Sequence, residues 1–270
     1  MYMINFDNDT LDRIAGLKNK MTIDDIKEAK ERIERRKKKL INPEEDKKVI
    51  DRLNRKRTFE LCLFGESNNA KVAVSLEKYN IPEFIKKNYY DLAVVYEEFQ
   101  ENAQDYTQAI IDDDNPGNIV FKGKAGTGKS YLAVSIMKYL MKKNKKVLYL
   151  NTTALKDSAY RAFNDGREKA KLERTKQFAN RADLLILDDL GAESNSEADQ
   201  LKSTSVTIQN LLYGLANHRV GKPTLITTNS NLDVLRAIYD ERIISRLMPR
   251  DPHNIYNFDK LVDLRNRGEF

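Results

Sequence analysis

The sequence predicts an α/β fold: a parallel sheet covered by helices on both faces, preceded by a smaller all-helical module. Three observations predict it. From Asn118 onward, four short apolar runs recur between helix-like segments, and strands that read as continuous apolar runs belong to parallel sheets buried on both faces. A glycine-rich turn joins the first of these runs to an amphipathic stretch. The first 60 or so residues contain no such runs and are densely charged.

The elements follow in chain order. Thr22-Ile23-Asp24-Asp25 resembles a capping box, and Ile23, Ile26, Ala29 and Ile33 then recur at helical spacing. Asn42-Pro43-Glu44-Glu45 reads as a second helix start, with Asn42 as N-cap, Pro43 in the first turn and acids near the positive dipole end. The two helices would form a hairpin joined near residues 40–42. Their apolar stripes (Ile23, Ile26, Ile33 and Val49, Ile50, Leu53) are too narrow for an independent core. Residues 61–117 are mostly helical in pattern, broken at Ile81-Pro82 and ended by a turn at 112–117. The domain boundary falls within about residues 65–85 and is drawn at 75/76, giving a helical module over 1–75 and the α/β domain over 76–270. Strands are then expected at 118–121, 146–150, 184–187 and 224–227, with a helix at 130–142. There is no internal repeat.

Length and composition narrow the class. A chain of 270 residues is one large domain or a domain with an appendage. No apolar run approaches the roughly 20 residues that span a bilayer, and the N-terminus lacks the basic start and apolar stretch of a signal peptide. A single cysteine, Cys62, and two histidines, His218 and His253, cannot build a disulfide or a zinc cage. The expectation is a cytoplasmic protein with no membrane contact. Net charge is +6, and residues 31–60 hold 12 Lys/Arg against 7 Asp/Glu. That bias fits a nucleic-acid partner, and it equally fits a solvated helix face.

Residues 123–130, Gly-Lys-Ala-Gly-Thr-Gly-Lys-Ser, match the phosphate-loop pattern GxxxxGK[ST] between a strand and a helix. Gly123, Gly126 and Gly128 let backbone N–H groups turn inward on phosphates, and Lys124, Ala125, Thr127 and Tyr131 complete the candidate ATP-binding set. Lys129 would neutralise the β- and γ-phosphates and the Ser130 hydroxyl would ligate Mg²⁺, with the helix dipole adding to both. Leu184-Leu-Ile-Leu-Asp188-Asp189 delivers two carboxylates at a strand end. Asp188 is the candidate Mg²⁺ partner, and Asp189 the group that activates the attacking water. Asn229, ending Thr-Thr-Asn after the next strand, can bond both γ-phosphate and water. Arg242 and Arg246 share a helical face at i and i+4; a surface charge pair with Glu241 fits equally, and nothing in the spacing alone shows that either reaches a phosphate.

The ordered set GKAGTGKS, LLILDDLG, TTN and ERIISRL resembles the AAA+ ATPases of the bacterial helicase-loader branch, the DnaC/DnaI/IstB-like family. The resemblance covers roughly residues 85–260. It implies an AAA+ P-loop domain and an ATP-dependent loader that places a hexameric replicative helicase on single-stranded DNA, self-associating as a hexamer or spiral. It makes Asn229 a sensor residue and Arg246 an arginine finger acting on a neighbouring subunit's ATP. It places a DNA-lining helix within 151–163, where Lys156, Tyr160 and Arg161 are candidates for backbone and stacking contacts. There are departures: one cysteine cannot build the zinc site of DnaI-type loaders, and a helical lid with its own sensor arginine is not evident, leaving Arg265 and Arg267 as candidate substitutes. The Lys- and Asn-rich composition suggests a phage or mobile-element version. The competing readings are an IstB-like helper ATPase for transposition, a non-catalytic ATP-binding adaptor for a helicase, and a small-molecule P-loop kinase. The last leaves Arg246 and the basic helices unexplained.

Overall fold

The computed structural model describes residues 43–65, 69–80, 83–194 and 205–263, with Lys27 and Glu31. The capping box at 22–25, the stripe at 23–33, the hairpin turn at 40–42, Ile81-Pro82, Arg265 and Arg267 lie outside the described residues. The chain divides into two compact units, Met1–Leu53 and Asn54–Phe270. Helix α1 (Pro43–Leu61) opens on its proline, which supplies a helical φ at a position whose N–H has no intrahelical partner. In the first unit Val49, Ile50 and Leu53 are exposed.

In the second unit, the chain leaving α1 lies along a sheet edge. Leu63 bridges Leu150 in parallel, donating to the Tyr149 carbonyl at 2.9 Å and accepting from Asn151 N–H at 2.7 Å. Phe64 stacks on Tyr149 at 5.0 Å. The exposed ladder of that edge is thereby covered, which removes a template for aggregation. Four helical pieces follow: α2 (Asn69–Val72), a 3-10 turn (Leu76–Lys78), α3 (Glu83–Asn88) and α4 (Tyr90–Ile111).

Strands and helices then alternate: β1 (Ile119–Lys122), α5 (Lys129–Lys142), β2 (Val147–Asn151), α6 (Thr152–Arg161), α7 (Gly166–Arg181), β3 (Leu184–Asp188), α8 (Val206–His218), β4 (Thr224–Thr228), α9 (Leu232–Ile238), α10 (Glu241–Leu247) and β5 (Ile255–Asn257). The sheet runs β2-β3-β4-β1-β5, and every pair is parallel. The apolar runs became β1 to β4, and the side chains of β2, β3 and β4 are buried throughout. Each of the four also takes in a polar residue at its end (Lys122, Asn151, Asp188, Thr228), because ladder hydrogen bonds are indifferent to side-chain polarity. Asn118 stays outside β1, with its side chain accepting from Thr224 N–H at 3.0 Å and donating to the Arg246 and Leu247 carbonyls at 2.8 and 2.9 Å. β5 is an addition to the four expected strands. Beneath it Phe99, Phe121, Tyr256 and Phe258 form one aromatic cluster, with ring centroids 4.6 to 5.7 Å apart.

Among the described residues, no helix is long and apolar enough to cross a membrane.

Candidate active site

In a parallel sheet the carboxyl ends of all strands share one edge, and ligands of open α/β sheets bind there. The loop after β1, the acidic pair after β3 and Asn229 after β4 therefore meet at one edge, since β4 lies between β3 and β1.

The loop from β1 to α5 turns on glycines that this chain needs. Gly123 has φ +151° and Gly126 φ +80°. A Cβ on Gly123 would lie 2.7 Å from the Phe258 carbonyl carbon, so backbone packs there where a side chain would collide, while Gly126 is required by its left-handed φ, its nearest neighbour being the movable Asp263 carboxylate. Thr127 is buried and donates to the Lys124 carbonyl at 2.9 Å, which cinches the loop. The Lys129 ammonium, also buried, donates to the Gly123 and Lys124 carbonyls at 2.7 Å each. Lys124 and Ala125 are exposed at the rim, while Gly128 and Ser130 are half-buried where α5 begins. Tyr131 turns elsewhere: its hydroxyl accepts from Val74 N–H at 3.4 Å and its ring lies 5.9 Å from Tyr79, bracing α5 against the 74–79 segment.

Asp188 is fully buried. Its Oδ1 accepts from the Thr227 hydroxyl at 2.7 Å, and that hydroxyl oxygen accepts in turn from Asp189 N–H at 3.0 Å. Its Oδ2 is buried and makes no well-aligned hydrogen bond among the described residues. Burial, and after it the charge and hydrogen-bonding approach of the Asp188 carboxylate, push the Tyr149 phenol well above its ordinary value, so that group stays protonated and faces the carboxylate as a neutral donor. An unsatisfied buried carboxylate oxygen is costly in water-excluded protein. A hard cation satisfies it, and a hydroxyl-plus-carboxylate donor set such as Ser130 and Asp188 suits Mg²⁺. Among the described residues no cluster of three or more His, Cys, Asp or Glu could hold a metal by itself, so a cation here depends on phosphate oxygens and water for the rest of its shell.

Asp189 is half-buried, with φ +57°. Thr152 donates to its carbonyl at 2.7 Å, and Asn151 Nδ2 lies 3.4 Å from its Oδ2. Asn151 also caps α6 by accepting from Ala154 N–H at 3.1 Å. Thr227, Asn151 and Thr152 were not singled out in the sequence, because their partners are fixed by strand register. Asn229 is exposed directly beyond β4.

Arg246 is not brought to this edge. Its carbonyl is bonded to Asn118, just before β1, and the loop departs from the other end of that strand. Four residues of strand separate the two, about 13 Å at ~3.3 Å per residue.

The three candidate nucleic-acid contacts on α6 divide. Lys156 donates to the Glu193 carbonyl at 2.8 Å and so is held against the turn that follows the acidic strand. Tyr160 and Arg161 are exposed, with Arg161 only 3.9 Å from Glu168. Phe163 joins them: it is 68% exposed, its ring centroid 6.3 Å from that of Tyr160. Two adjacent exposed aromatics beside a cation are a stacking platform in chemical terms. Phe163 was legible only as a large apolar residue past a helix end.

The family of IstB-like ATP binding proteins matches residues 98–255, more than half of the chain, a span that includes the phosphate loop, Asp188, Asp189, Asn229 and Arg246. The chain belongs to that family. The IstB-like chain is also 28% identical over 153 residues to the replicative helicase loader DnaC of Escherichia coli (strain K12), covering 56% of this chain and 58% of that protein. It is 24% identical over 186 residues to the uncharacterized protein YdaV of the same strain, covering 67% and 70%. The chain thus spans a little over half the length of the DnaC it matches. Among solved structures, the crystal structure of the DnaC helicase loader overlays 71% of this chain and 99% of its own, with 20% identity and a TM-score of 0.49.

Proposed function

We propose that this IstB-like protein is an ATP-dependent loader of a hexameric replicative helicase onto single-stranded DNA, and that it hydrolyses ATP with Mg²⁺ at the interface between copies of itself. The observation that carries hydrolysis is the pairing of the buried, half-satisfied Asp188 with Asp189 at the same sheet edge as the phosphate loop. The loop amides and Lys129 hold the phosphates, which offer the ammonium charged acceptors in place of the Gly123 and Lys124 carbonyls. Bound Mg²⁺, ligated by Ser130 and held by Asp188 through water, would draw charge from the β- and γ-phosphates. Asp189 takes the proton of the attacking water, and Asn229 orients that water. Arg246 lies at the opposite edge of its own sheet, which supports its service to a neighbouring copy's γ-phosphate.

The loader role is supported by the 153-residue match to DnaC. Tyr160 and Arg161, with Phe163, supply the single-strand contact, and Lys156 positions their helix against the turn after β3. The N-terminal module, residues 1–75, would grip the helicase. Its exposed Val49, Ile50 and Leu53 are a thin apolar stripe of the kind that packs on a partner. A second reading, a helper ATPase for transposition, is favoured by the IstB-like description of the matching family. Co-elution in ATP of the full chain with purified hexameric helicase, and separately with a transposase, decides between them. The helicase complex is expected, and it should be lost on truncation at Asn54. Binding of the transposase alone would overturn the loader role, and full binding by the truncated chain would overturn the N-terminal grip.

A further inference from the structure

The two arginines of α10 look equivalent in sequence and are not equivalent in the fold. Arg242 is spoken for. Its Nε and Nη2 donate to Asp240 Oδ1 and Oδ2 at 2.9 and 3.0 Å, a bidentate pair that fixes both groups. That bond holds the Asp240 carboxyl down at about 2, so the pair stays ionised at any working pH. Arg246 is bonded to no carboxylate among the described residues, and the Asp240 carboxylate, which its charge also helps to hold down, is already taken by Arg242. Arg246 is held by neutral groups: Nη1 donates to the Arg242 carbonyl at 2.7 Å, Nε to Asn217 Oδ1 at 3.3 Å, and its guanidinium carbon lies 5.3 Å from the centre of the Tyr213 ring. Tyr213 and Asn217 are one turn apart on α8 (Val206–His218), so one helix face makes both contacts. The Arg242 guanidinium lies 5.0 Å from the same ring. Asn118 fixes the backbone beneath, through the carbonyls of Arg246 and Leu247.

Such a cradle orients a cation without neutralising it. An aromatic face attracts a guanidinium and leaves its charge available, and an amide oxygen fixes one N–H without pairing the charge. A carboxylate at the same place would compete with any phosphate. We infer that Tyr213 and Asn217 are positioning residues for Arg246, aiming an unpaired guanidinium outward for the γ-phosphate of a neighbouring copy, and that Arg242 serves only to complete the frame. The inference rests on the reading of Arg246 as a finger in trans.

The test is steady-state ATPase of the full chain, with nucleotide affinity measured separately by titration of a fluorescent ATP analogue. Tyr213→Leu should lower kcat roughly tenfold with affinity unchanged, and Tyr213→Phe, which keeps the ring, should restore it. Asn217 is exposed, so Asn217→Asp should fold; by pairing Arg246 it should also lower kcat. In an Arg246→Ala background, none of these changes should cost anything further, because the cycle closes on the guanidinium. If Arg246→Ala itself leaves kcat unchanged, the finger reading fails and the positioning role falls with it. If Arg246→Ala lowers kcat but Asn217→Asp and Tyr213→Leu do not, or if they cost as much in the Arg246→Ala background, the positioning role alone is overturned.

Discussion

Asp189 has a left-handed backbone, φ +57°, which Asp tolerates better than bulkier residues, though at a cost on the order of 1 kcal/mol. The surroundings impose it. The N–H is drawn to the Thr227 hydroxyl and the carbonyl is held by Thr152 Oγ1 and Ala192 N–H. Its carboxylate Oδ2 lies 3.4 Å from Asn151 Nδ2, at the carboxyl end of the neighbouring β2. Asn tolerates the same conformation, so Asp189→Asn should leave fold and nucleotide affinity intact while lowering turnover by about 10²-fold or more, the range for loss of a general base. Single-turnover hydrolysis alongside a binding titration reads the two separately, and equal turnover would restore the non-catalytic adaptor. The two carboxylates were legible in the sequence because they follow a phosphate loop; standing alone, an apolar strand that ends in an Asp turn reads as ordinary structure. Thr227 was not, since its hydroxyl meets Asp188 only through the pairing of Leu187 with Ile226.

Legibility at the scale of elements follows burial. β1 to β4 could be read because each is buried enough to need an unbroken apolar run. β5 is three residues, Ile-Tyr-Asn, half-exposed against one neighbour, and three residues with one apolar face leave no period to detect. The Leu63 bridge escaped for the same reason. Arg219 escaped for a different one. It reads as a surface cation past the end of α8, and is instead 3% exposed, its guanidinium donating to the carbonyls of Ala179, Ala182 and Pro223 and to Thr224 Oγ1. Burial pushes its pKa down to about 10, so it stays charged at neutral pH. It ties the end of α7 to the entry of β4, two elements that frame the acidic strand. Arg219→Met keeps the length and strands four acceptors, so it should cost about 3 kcal/mol or more of stability. Thermal or urea unfolding monitored by circular dichroism checks this, and an unchanged midpoint would mean the carbonyls find other donors.

For the whole molecule, the decisive fact is a separation. The phosphate loop, Asp188, Asp189 and Asn229 occupy the carboxyl edge of the sheet, and the α10 arginines occupy the amino edge beside Asn118. On the proposed reading of Arg246, a single copy carries its finger at the end of the sheet away from its own phosphate loop, an arrangement that stacking of copies head to tail would complete. Both groups are in the sequence, but their distance along the chain could not say whether they meet. Mixing Lys129→Ala protein, which keeps its finger, with Arg246→Ala protein, which keeps its loop, measures this directly through ATP turnover. Arginine fingers contribute about 10³–10⁵ in rate in well-studied NTPases, so even a minority of mixed interfaces should register. Mixtures should exceed the summed activity of the two variants, with a maximum near equal proportions. Turnover that never rises above that sum at any ratio or protein concentration would mean that copies do not share a site.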